Sequence, residues 1–336
     1  MFFLSPSESS AITSFLQERA WLQPGEAIQR TERGGEGNMN CVVRVRTNRR
    51  SFILKQSRPW VEKYPQIAAP WDRALIEARF YRETEENAEL RFYLPRLLAL
   101  DPEERLLMFE DLGRARDWSD FYRFPEEWSR EADFDALIRF LAILHTSFRD
   151  PALRAAFTNI EMRQLNYEHI FALPLQQGNG LTLDSITPGL AQLAEQLQAN
   201  SSYVTAVAEL GRTYLNGSPQ ACLLHGDYFP GSWLRTEKQF YVIDPEFCFY
   251  GPPEWDLGVM AAHLYLAGQP AKLITSVTER YSALAPLRMQ LMRQFAGVEI
   301  MRRLIGVAQL PLLYGFERKR ELLQVSVDLV LGGSAA

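Results

Sequence analysis

The sequence predicts an α+β fold, with an antiparallel sheet and a helix in the first third of the chain and mainly helices after it. Apolar runs of strand length fill the first third: residues 43–46 alternate valine with arginine, and residues 51–56 and 105–109 carry further runs. Later, apolar residues recur at helical spacing, most clearly over residues 134–148. A chain of 336 residues is long enough for two lobes with separate cores.

The individual elements are predicted from periodicity and from turn residues, in chain order. A helix at residues 5–20 precedes two strands within residues 28–55, which a turn rich in Gly and Asn separates. A helix at residues 72–88 precedes two more strands. Helices then dominate, apart from two short apolar strands that end before Asp227 and before Asp244.

Composition and charge exclude several classes of protein. Hydrophobic residues make up 47% of the chain and charged residues 23%, as in ordinary globular proteins. A net charge of −5 gives no basic footprint for nucleic acid. The three cysteines have no zinc-like spacing, and we find neither a signal peptide nor an apolar run long enough to span a membrane. We expect a cytoplasmic protein, and keep a homodimer as an open option.

Lys55 is the most informative basic residue of the first third. It is one of only five lysines, and it lies in an apolar strand that follows the Gly-rich turn. A buried ammonium needs a partner, and Glu77 faces the same way as apolar neighbours on the next helix. We therefore expect an ion pair between Lys55 and Glu77. A lysine at the solvent-facing edge of its strand remains the alternative.

Three carboxylates follow the two short strands of the second half. Asp227 comes after the pair His225-Gly226, and Asp244 ends a second apolar run with Glu246 two residues later. We expect a tight connection between the two strands to bring these carboxylates to one edge. Mg²⁺ takes one or two carboxylates together with substrate phosphates, and a separate carboxylate can accept the proton of an attacking hydroxyl. The alternative is a pair of hairpin strands that end in solvated acids.

The spacing around these carboxylates resembles that of a known family. The patterns HGDxxxGS and DPEFxFYGPxxxDxG are similar to those of the aminoglycoside phosphotransferase and choline kinase superfamily, and within it to those of the methylthioribose kinases. The resemblance implies a bilobal protein-kinase-like fold that uses ATP and Mg²⁺. It implies an N-lobe at residues 1–109, a hinge at 110–113 and a helical C-lobe at 114–336.

The same resemblance implies roles for individual residues. Asp227 would be the catalytic base, and Asp256 would brace its loop from below. Arg302 and Arg303 would bind the sugar, although Arg303 could instead pair with Glu299 on a solvated helix surface. Asp244, Glu246 and Ser232 are the implied metal ligands. The implied nucleotide-binding residues are Gly35, Gly37, Asn38 and Asn40 of the covering turn, Lys55 with Glu77, and Glu110, Asp111 and Leu112 at the hinge.

Departures from the family pattern concern the acceptor. Tyr228-Phe229-Pro230 replaces Leu-His-Thr beside Asp227, and Gln309 replaces a His. The acceptor we predict is 5-methylthioribose. One alternative is an aminoglycoside- or choline-type phosphotransferase with another small hydroxylated acceptor. The other is a nucleotide-binding pseudokinase.

Overall fold

The computed structural model describes residues 2–35, 37, 39–128, 131–217, 220–310 and 312–333. It shows the predicted α+β fold. The strands of the described part are β1 (Ile28–Arg33), β2 (Asn40–Thr47), β3 (Ser51–Ser57), β4 (Trp60–Val61), β5 (Tyr64–Ala68), β6 (Leu97–Asp101), β7 (Leu106–Glu110), β8 (Ala115–Asp117), β9 (Cys222–Leu224), β10 (Trp233–Thr236), β11 (Phe240–Val242) and β12 (Phe249–Gly251).

Most of the described helices lie after residue 130. None of them is both long and apolar enough to cross a membrane. In order they are α1 (Ser9–Glu18), α2 (Arg73–Glu85), α3 (Ala88–Arg91), α4 (Glu131–Ser147), α5 (Pro151–Arg154), α6 (Ile160–Tyr167), α7 (Leu190–Ala199), α8 (Ser201–Asn216), α9 (Glu254–Leu266), α10 (Ala271–Ser282), α11 (Met289–Ile305) and α12 (Phe316–Leu331).

The chain folds into two compact units. The first comprises Met1–Arg116 and Arg235–Phe247, and the second comprises Asp117–Leu234 and Cys248–Ala336. Residues 235–247, which sequence analysis assigned to the C-lobe, belong to the first unit. One reason is hydrogen bonding to a distant part of the chain, because the backbone amide of Val242 in β11 donates to the carbonyl of Tyr93 at 2.8 Å. The function of the units as kinase lobes stays a prediction.

The first unit is built on a five-stranded sheet in the order β1-β2-β3-β7-β6. Its pairs are antiparallel, as predicted, and the register sets Lys55 of β3 between Val42 of β2 and Leu107 of β7. Successive side chains of a strand point to opposite faces, which explains why Val43 and Val45 are both buried. They pack in a core with residues of α1 and of the chain before it.

The strands that precede Asp227 and Asp244 are connected differently from our expectation. We expected a tight connection that joins the strand before Asp227 directly to the strand before Asp244. Instead β9 pairs antiparallel with β12, while β11 pairs with β10. The prediction was wrong because β10, which the sequence did not reveal, is a nearer partner for β11. A turn in which Thr236 donates to the carbonyl of Gln239 at 3.0 Å joins those two strands.

The second unit is organised around the long helix α11. It packs against both α9 and α12, and α9 is buried on nearly every side, as its mainly apolar sequence requires. Gly258 allows the close approach of α9 and α11. A Cβ at Gly258 would lie 2.7 Å from the Cβ of Phe295 and 2.9 Å from the carbonyl oxygen of Met292. This packing buries the C-terminal end of α11, where Arg302 and Arg303 lie.

Candidate active site

In the second unit, the loop after β9 holds Asp227. Asp256, at the start of α9, accepts hydrogen bonds from the backbone amides of His225 at 2.7 Å and Gly226 at 3.0 Å. The imidazole Nε2 of His145 lies 3.1 Å from the same carboxylate. Gly226 has a φ of +90°, a left-handed conformation that glycine adopts without strain. The predicted bracing role of Asp256 is confirmed, and it fixes the backbone directly before Asp227.

The carboxylate of Asp227 lies next to two guanidinium groups. Arg302 Nη2 donates to Asp227 Oδ1 at 3.2 Å, and Arg303 Nη2 lies 3.5 Å from the same oxygen. Burial raises the pKa of Asp227, whereas the positive charges of Arg302 and Arg303 limit the rise. The Asp227 side chain is 23% exposed. It is therefore a carboxylate that is open to a small molecule and more basic than an ordinary aspartate.

Glu299 holds both arginines. Its carboxylate accepts from Arg302 Nε at 2.5 Å and from Arg303 Nε at 2.8 Å. The pair of Arg303 with Glu299 forms, but not on a solvated surface, as the alternative to sugar binding had supposed. Glu299 is fully buried, and the Arg302 and Arg303 side chains are 10% and 7% exposed, because α9 and α12 cover this part of α11. Among the described residues, Arg303 Nη2 finds no hydrogen-bond acceptor.

Phe229 stands where the family pattern has a histidine. Its ring stacks under the Arg303 guanidinium, 4.8 Å from the ring centre, and lies beside His263. A Cβ at Gly231 would lie 2.5 Å from this ring, which explains why glycine is needed in the motif. The change from histidine to Phe229 therefore replaces a polar side chain by an aromatic ring that makes a cation–π contact with Arg303.

In the first unit, Lys55 connects two carboxylates. Its Nζ lies 2.7 Å from Glu77 Oε2 and 2.5 Å from Asp244 Oδ1, so the predicted pair with Glu77 is confirmed. Lys55 is buried, which rules out the solvent-facing alternative. Burial alone would lower the pKa of Lys55, but Asp244 and Glu77 outweigh it and raise that pKa. Burial raises the pKa of Glu77 to about 7 against the charge of Lys55.

Asp244 and Glu246 have different surroundings. Asp244 has a φ of +65°, the left-handed region that aspartate tolerates, and its side chain is 42% exposed. Glu246 is buried and accepts from Asn40 Nδ2 and from Arg73 Nε, each at 3.0 Å. Sequence reasoning missed Arg73, which is wholly buried at the start of α2. The only available signal was an arginine at the beginning of a helix that is otherwise rich in buried residues.

Asp244 and Glu246, in the loop after β11, are the carboxylates predicted to bind Mg²⁺. Within the described residues, no group of three or more His, Cys, Asp and Glu side chains is arranged around a common metal position. Mg²⁺ needs fewer protein ligands, because it keeps several waters and binds substrate phosphates. Asp244 fits this demand, since it is an exposed oxygen ligand. Glu246 would have to share its carboxylate with Arg73.

The remaining predicted site residues are distributed as follows. Ser232 ends a short 3₁₀ turn, and its hydroxyl donates to the Asp227 carbonyl at 3.1 Å. At the predicted hinge, Glu110 pairs with Arg96, Asp111 pairs with Arg44, and Leu112 is half-buried. Their nucleotide and metal roles stay predictions.

The packing of the glycine-rich turn distinguishes its glycines, while the nucleotide-binding roles of Gly35 and Gly37 stay predictions. Asn38 lies outside the described residues. Among the described residues, a Cβ on Gly35 would meet nothing within 4 Å and a Cβ on Gly37 would lie 3.9 Å from the Asn40 carbonyl oxygen, whereas a Cβ on Gly34 would lie 2.7 Å from Val42 Cγ1. Gly34 is therefore the glycine that the packing of the turn demands, and Gly35 and Gly37 remain open to a ligand.

Comparison with known proteins places these features in a family. Residues 31–292 match the profile of the phosphotransferase enzyme family, and the chain belongs to this family. The predicted enzyme class is therefore confirmed. The methylthioribose kinase of Exiguobacterium sibiricum is 25% identical, over 88% of this chain and 86% of that protein. The methylthioribose kinase of Bacillus velezensis is 26% identical, over 88% of this chain and 84% of that protein.

Solved structures agree on the fold. The crystal structure of spectinomycin phosphotransferase in complex with ADP and spectinomycin superimposes with a TM-score of 0.55 at 13% identity, over 97% of this chain and 99% of that one. The predicted protein-kinase-like fold is confirmed by this similarity.

Proposed function

We propose that the protein is an ATP- and Mg²⁺-dependent kinase that transfers the γ-phosphate of ATP to a hydroxyl of a sugar-like acceptor, with 5-methylthioribose as the first candidate. The observation that carries the proposal is the group of Asp227, Arg302 and Arg303. It combines a half-buried carboxylate of raised pKa with two buried guanidinium groups beside it. One of these groups has a donor, Arg303 Nη2, that lacks an acceptor among the described residues.

Asp227 would orient the acceptor hydroxyl and take its proton as the oxygen attacks. The new bond forms between that oxygen and the γ-phosphorus, the bond from the γ-phosphorus to the bridging oxygen breaks, and ADP leaves with the bond electrons. Arg302 and Arg303 would donate hydrogen bonds to other oxygens of the acceptor. A guanidinium presents a rigid fork of donors, which suits a ligand with several oxygens.

Residues of the first unit would bind the nucleotide. Lys55, oriented by Glu77, would contact phosphate oxygens. Asp244 and Glu246 would hold Mg²⁺, which when bound neutralises charge on the phosphates. The covering turn with Gly35, Gly37, Asn38 and Asn40 would lie over the phosphates, and residues 110–112 would meet the adenine.

The choice of acceptor is supported by charge and by the relatives. Two buried arginines beside Asp227 disfavour cationic acceptors such as choline or an aminoglycoside, because like charges repel strongly where water is excluded. The two relatives described above carry the name methylthioribose kinase and match this chain over most of their length.

A screen of ADP release tests the proposal. The protein would be incubated with ATP, Mg²⁺ and one acceptor at a time: 5-methylthioribose, ribose, choline, and kanamycin as an aminoglycoside. We expect acceptor-dependent ADP release that is fastest with 5-methylthioribose. Faster turnover with choline or kanamycin would contradict the assignment of 5-methylthioribose as the acceptor. Release that no acceptor stimulates would contradict the kinase function and favour a nucleotide-binding pseudokinase.

A further inference from the structure

A buried chain of hydrogen bonds lies behind Glu299, and neither the motifs nor the proposed chemistry uses it. Tyr122 Oη lies 2.5 Å from His263 Nδ1, and His263 Nε2 lies 3.1 Å from Glu299 Oε1. His263 and Glu299 are fully buried, and Tyr122 is nearly so. Three elements that are far apart in sequence meet here, namely the 3₁₀ turn Ser119–Tyr122, α9 and α11.

The partners fix which nitrogen of His263 carries the proton. An ionised carboxylate can only accept, so Nε2 must donate to Glu299. Burial, helped by the charge of Arg303, lowers the pKa of His263 to about 4 despite its bond to Glu299. A neutral imidazole has one donor and one acceptor nitrogen. Nδ1 therefore accepts from the Tyr122 hydroxyl, and every hydrogen bond along the chain points toward Glu299.

Glu299 in turn directs both arginines. Its Oε1 accepts from His263 Nε2 and Arg303 Nε, and its Oε2 accepts from Arg302 Nε. With each Nε held in this way, the Nη2 atom of each guanidinium lies within 3.5 Å of Asp227 Oδ1. Burial opposes a charged Glu299, but the two arginines keep its pKa well below the ordinary value. Glu299 therefore remains an anion that can hold two cations.

We propose that Glu299, oriented by His263 and Tyr122, is the positioning residue that sets Arg302 and Arg303 for the acceptor. The inference rests on the proposed function, because it concerns the acceptor side of the same site. None of the three residues needs to touch the acceptor. The N–H of His263 holds the Glu299 carboxylate in the orientation in which both guanidinium groups face Asp227. Without that donor the carboxylate can rotate.

Kinetic constants of three variants test the positioning role. In His263→Leu the donor to Glu299 is lost, whereas His263→Gln keeps an N–H at a comparable reach. Partners that orient binding groups typically contribute about 10-fold to 100-fold. We expect His263→Leu to raise the acceptor KM at least about tenfold with the KM for ATP unchanged, and His263→Gln to restore most of the loss. Glu299→Gln should raise the acceptor KM by more than His263→Leu, because the amide nitrogen cannot accept.

Glu26→Gln is the matched control. Glu26 is a buried carboxylate of the first unit that also binds an arginine, Arg50, at 2.9 Å. The Glu26→Gln substitution should lower the free energy of unfolding without changing the acceptor KM. If His263→Leu behaved like Glu26→Gln, with lower stability and an unchanged acceptor KM, the network would only stabilise the fold. The positioning role would then be wrong.

A readout without acceptor separates this inference from the proposed function. Nitrogen-15 NMR of labelled protein, with the His263 signals assigned by His263→Gln, reports the protonated nitrogen. We expect a neutral imidazole protonated at Nε2 at neutral pH. A proton on Nδ1 or a charged ring would contradict the proposal. An enzyme that turns over no acceptor would contradict the proposed function, and the NMR result would then decide on its own whether His263 donates to Glu299.

Discussion

Asp227 is the residue on which the proposed chemistry depends. Its backbone is held by the bonds of Asp256 to the preceding amides, and its carboxylate is left half-exposed. We predict that Asp227→Asn lowers kcat by about 10²–10⁴-fold, because the amide cannot take the hydroxyl proton. The KM for ATP should stay near wild type. Steady-state kinetics checks this, and a variant with a near-normal kcat would contradict the base assignment.

Arg302 and Arg303 are predicted to bind the acceptor together. Each is buried, and each reaches both Glu299 and Asp227, so neither is a surface bystander. Methionine keeps much of the bulk of arginine but has no donors. We predict that Arg302→Met and Arg303→Met each raise the acceptor KM at least about tenfold, or about 1.4 kcal/mol, with little change for ATP. A double variant with a normal acceptor KM would remove the sugar-binding role.

The same two variants should shift the pH dependence of activity. Burial raises the pKa of Asp227, and the two arginines limit that rise. Removal of either positive charge therefore raises the pKa further. Activity increases as pH rises through the pKa of a catalytic base, so the acid limb of kcat/KM should lie at higher pH in each variant. A limb at the wild-type position would show that Asp227 does not control it.

At the residue scale, the local sequence predicted which residues belong to the candidate site better than it predicted their burial and their partners. Lys55 and Glu77 could be paired because Lys55 is the one charge of an apolar strand and Glu77 is a lone charge among apolar neighbours on one face of its helix. The burial of Glu299 could not be foreseen, because an i, i+4 pair looks the same on a surface helix and on a packed one. Arg73 was missed for a related reason, since its partner Glu246 is 173 positions away in sequence.

The loop after β11 carries two of the three predicted metal ligands, Asp244 and Glu246. We predict that Asp244→Ala abolishes Mg²⁺-dependent turnover, because it removes the exposed carboxylate. Glu246→Ala should raise the Mg²⁺ concentration needed for half-maximal activity and also lower stability, since Arg73 and Asn40 lose their acceptor. Titration of activity with Mg²⁺, together with urea unfolding, checks both effects. Mg²⁺ titrations that neither substitution alters would overturn the metal assignment and leave Glu246 as a partner of Arg73.

Glu26 fastens the ends of β1 and β2 to each other. It lies just before β1 and accepts from Thr47 at the end of β2 at 2.8 Å and from Arg50 in the following turn. Glu26→Gln should cost about 2 kcal/mol near neutral pH, as expected for hydrogen bonds to a charged group. Urea unfolding of the two proteins measures the difference.

The stabilisation by Glu26 should depend on pH. Its bonds to Arg50, Gln23 and Thr47 lower its pKa from 4.5 to about 2, against the effect of burial. A depressed pKa in the folded state gives stability that is complete above pH 4.5 and is lost as pH falls toward about 2. The gap between wild type and Glu26→Gln should therefore shrink at acid pH. A constant gap would contradict this assignment.

At the scale of elements, hydrophobic periodicity predicted the presence of strands and helices better than it predicted which strands pair. Strands β2 and β3 and the helices around residues 72–88 and 134–148 follow directly from apolar spacing. The pairing of β9 with β12 did not follow, because three-residue strands that are buried on both faces have no alternation to set their partners.

At the scale of the whole molecule, the order of motifs was the strongest signal. Segments that resemble one family, spread from the Gly-rich turn to the C-terminal arginines, predicted the phosphotransferase family, and the match over residues 31–292 confirms it. The division of the chain was harder to foresee. Residues 235–247 join the first unit through backbone bonds to residues far earlier in the chain, and such bonds leave no local pattern.

Phosphorus NMR of the reaction of ATP with 5-methylthioribose tests the central claim most directly, because it separates transfer from hydrolysis. The account predicts a new phosphate monoester signal that grows in step with ADP and is absent with Asp227→Asn. Inorganic phosphate as the only new signal, or a monoester that Asp227→Asn forms at the wild-type rate, would contradict it.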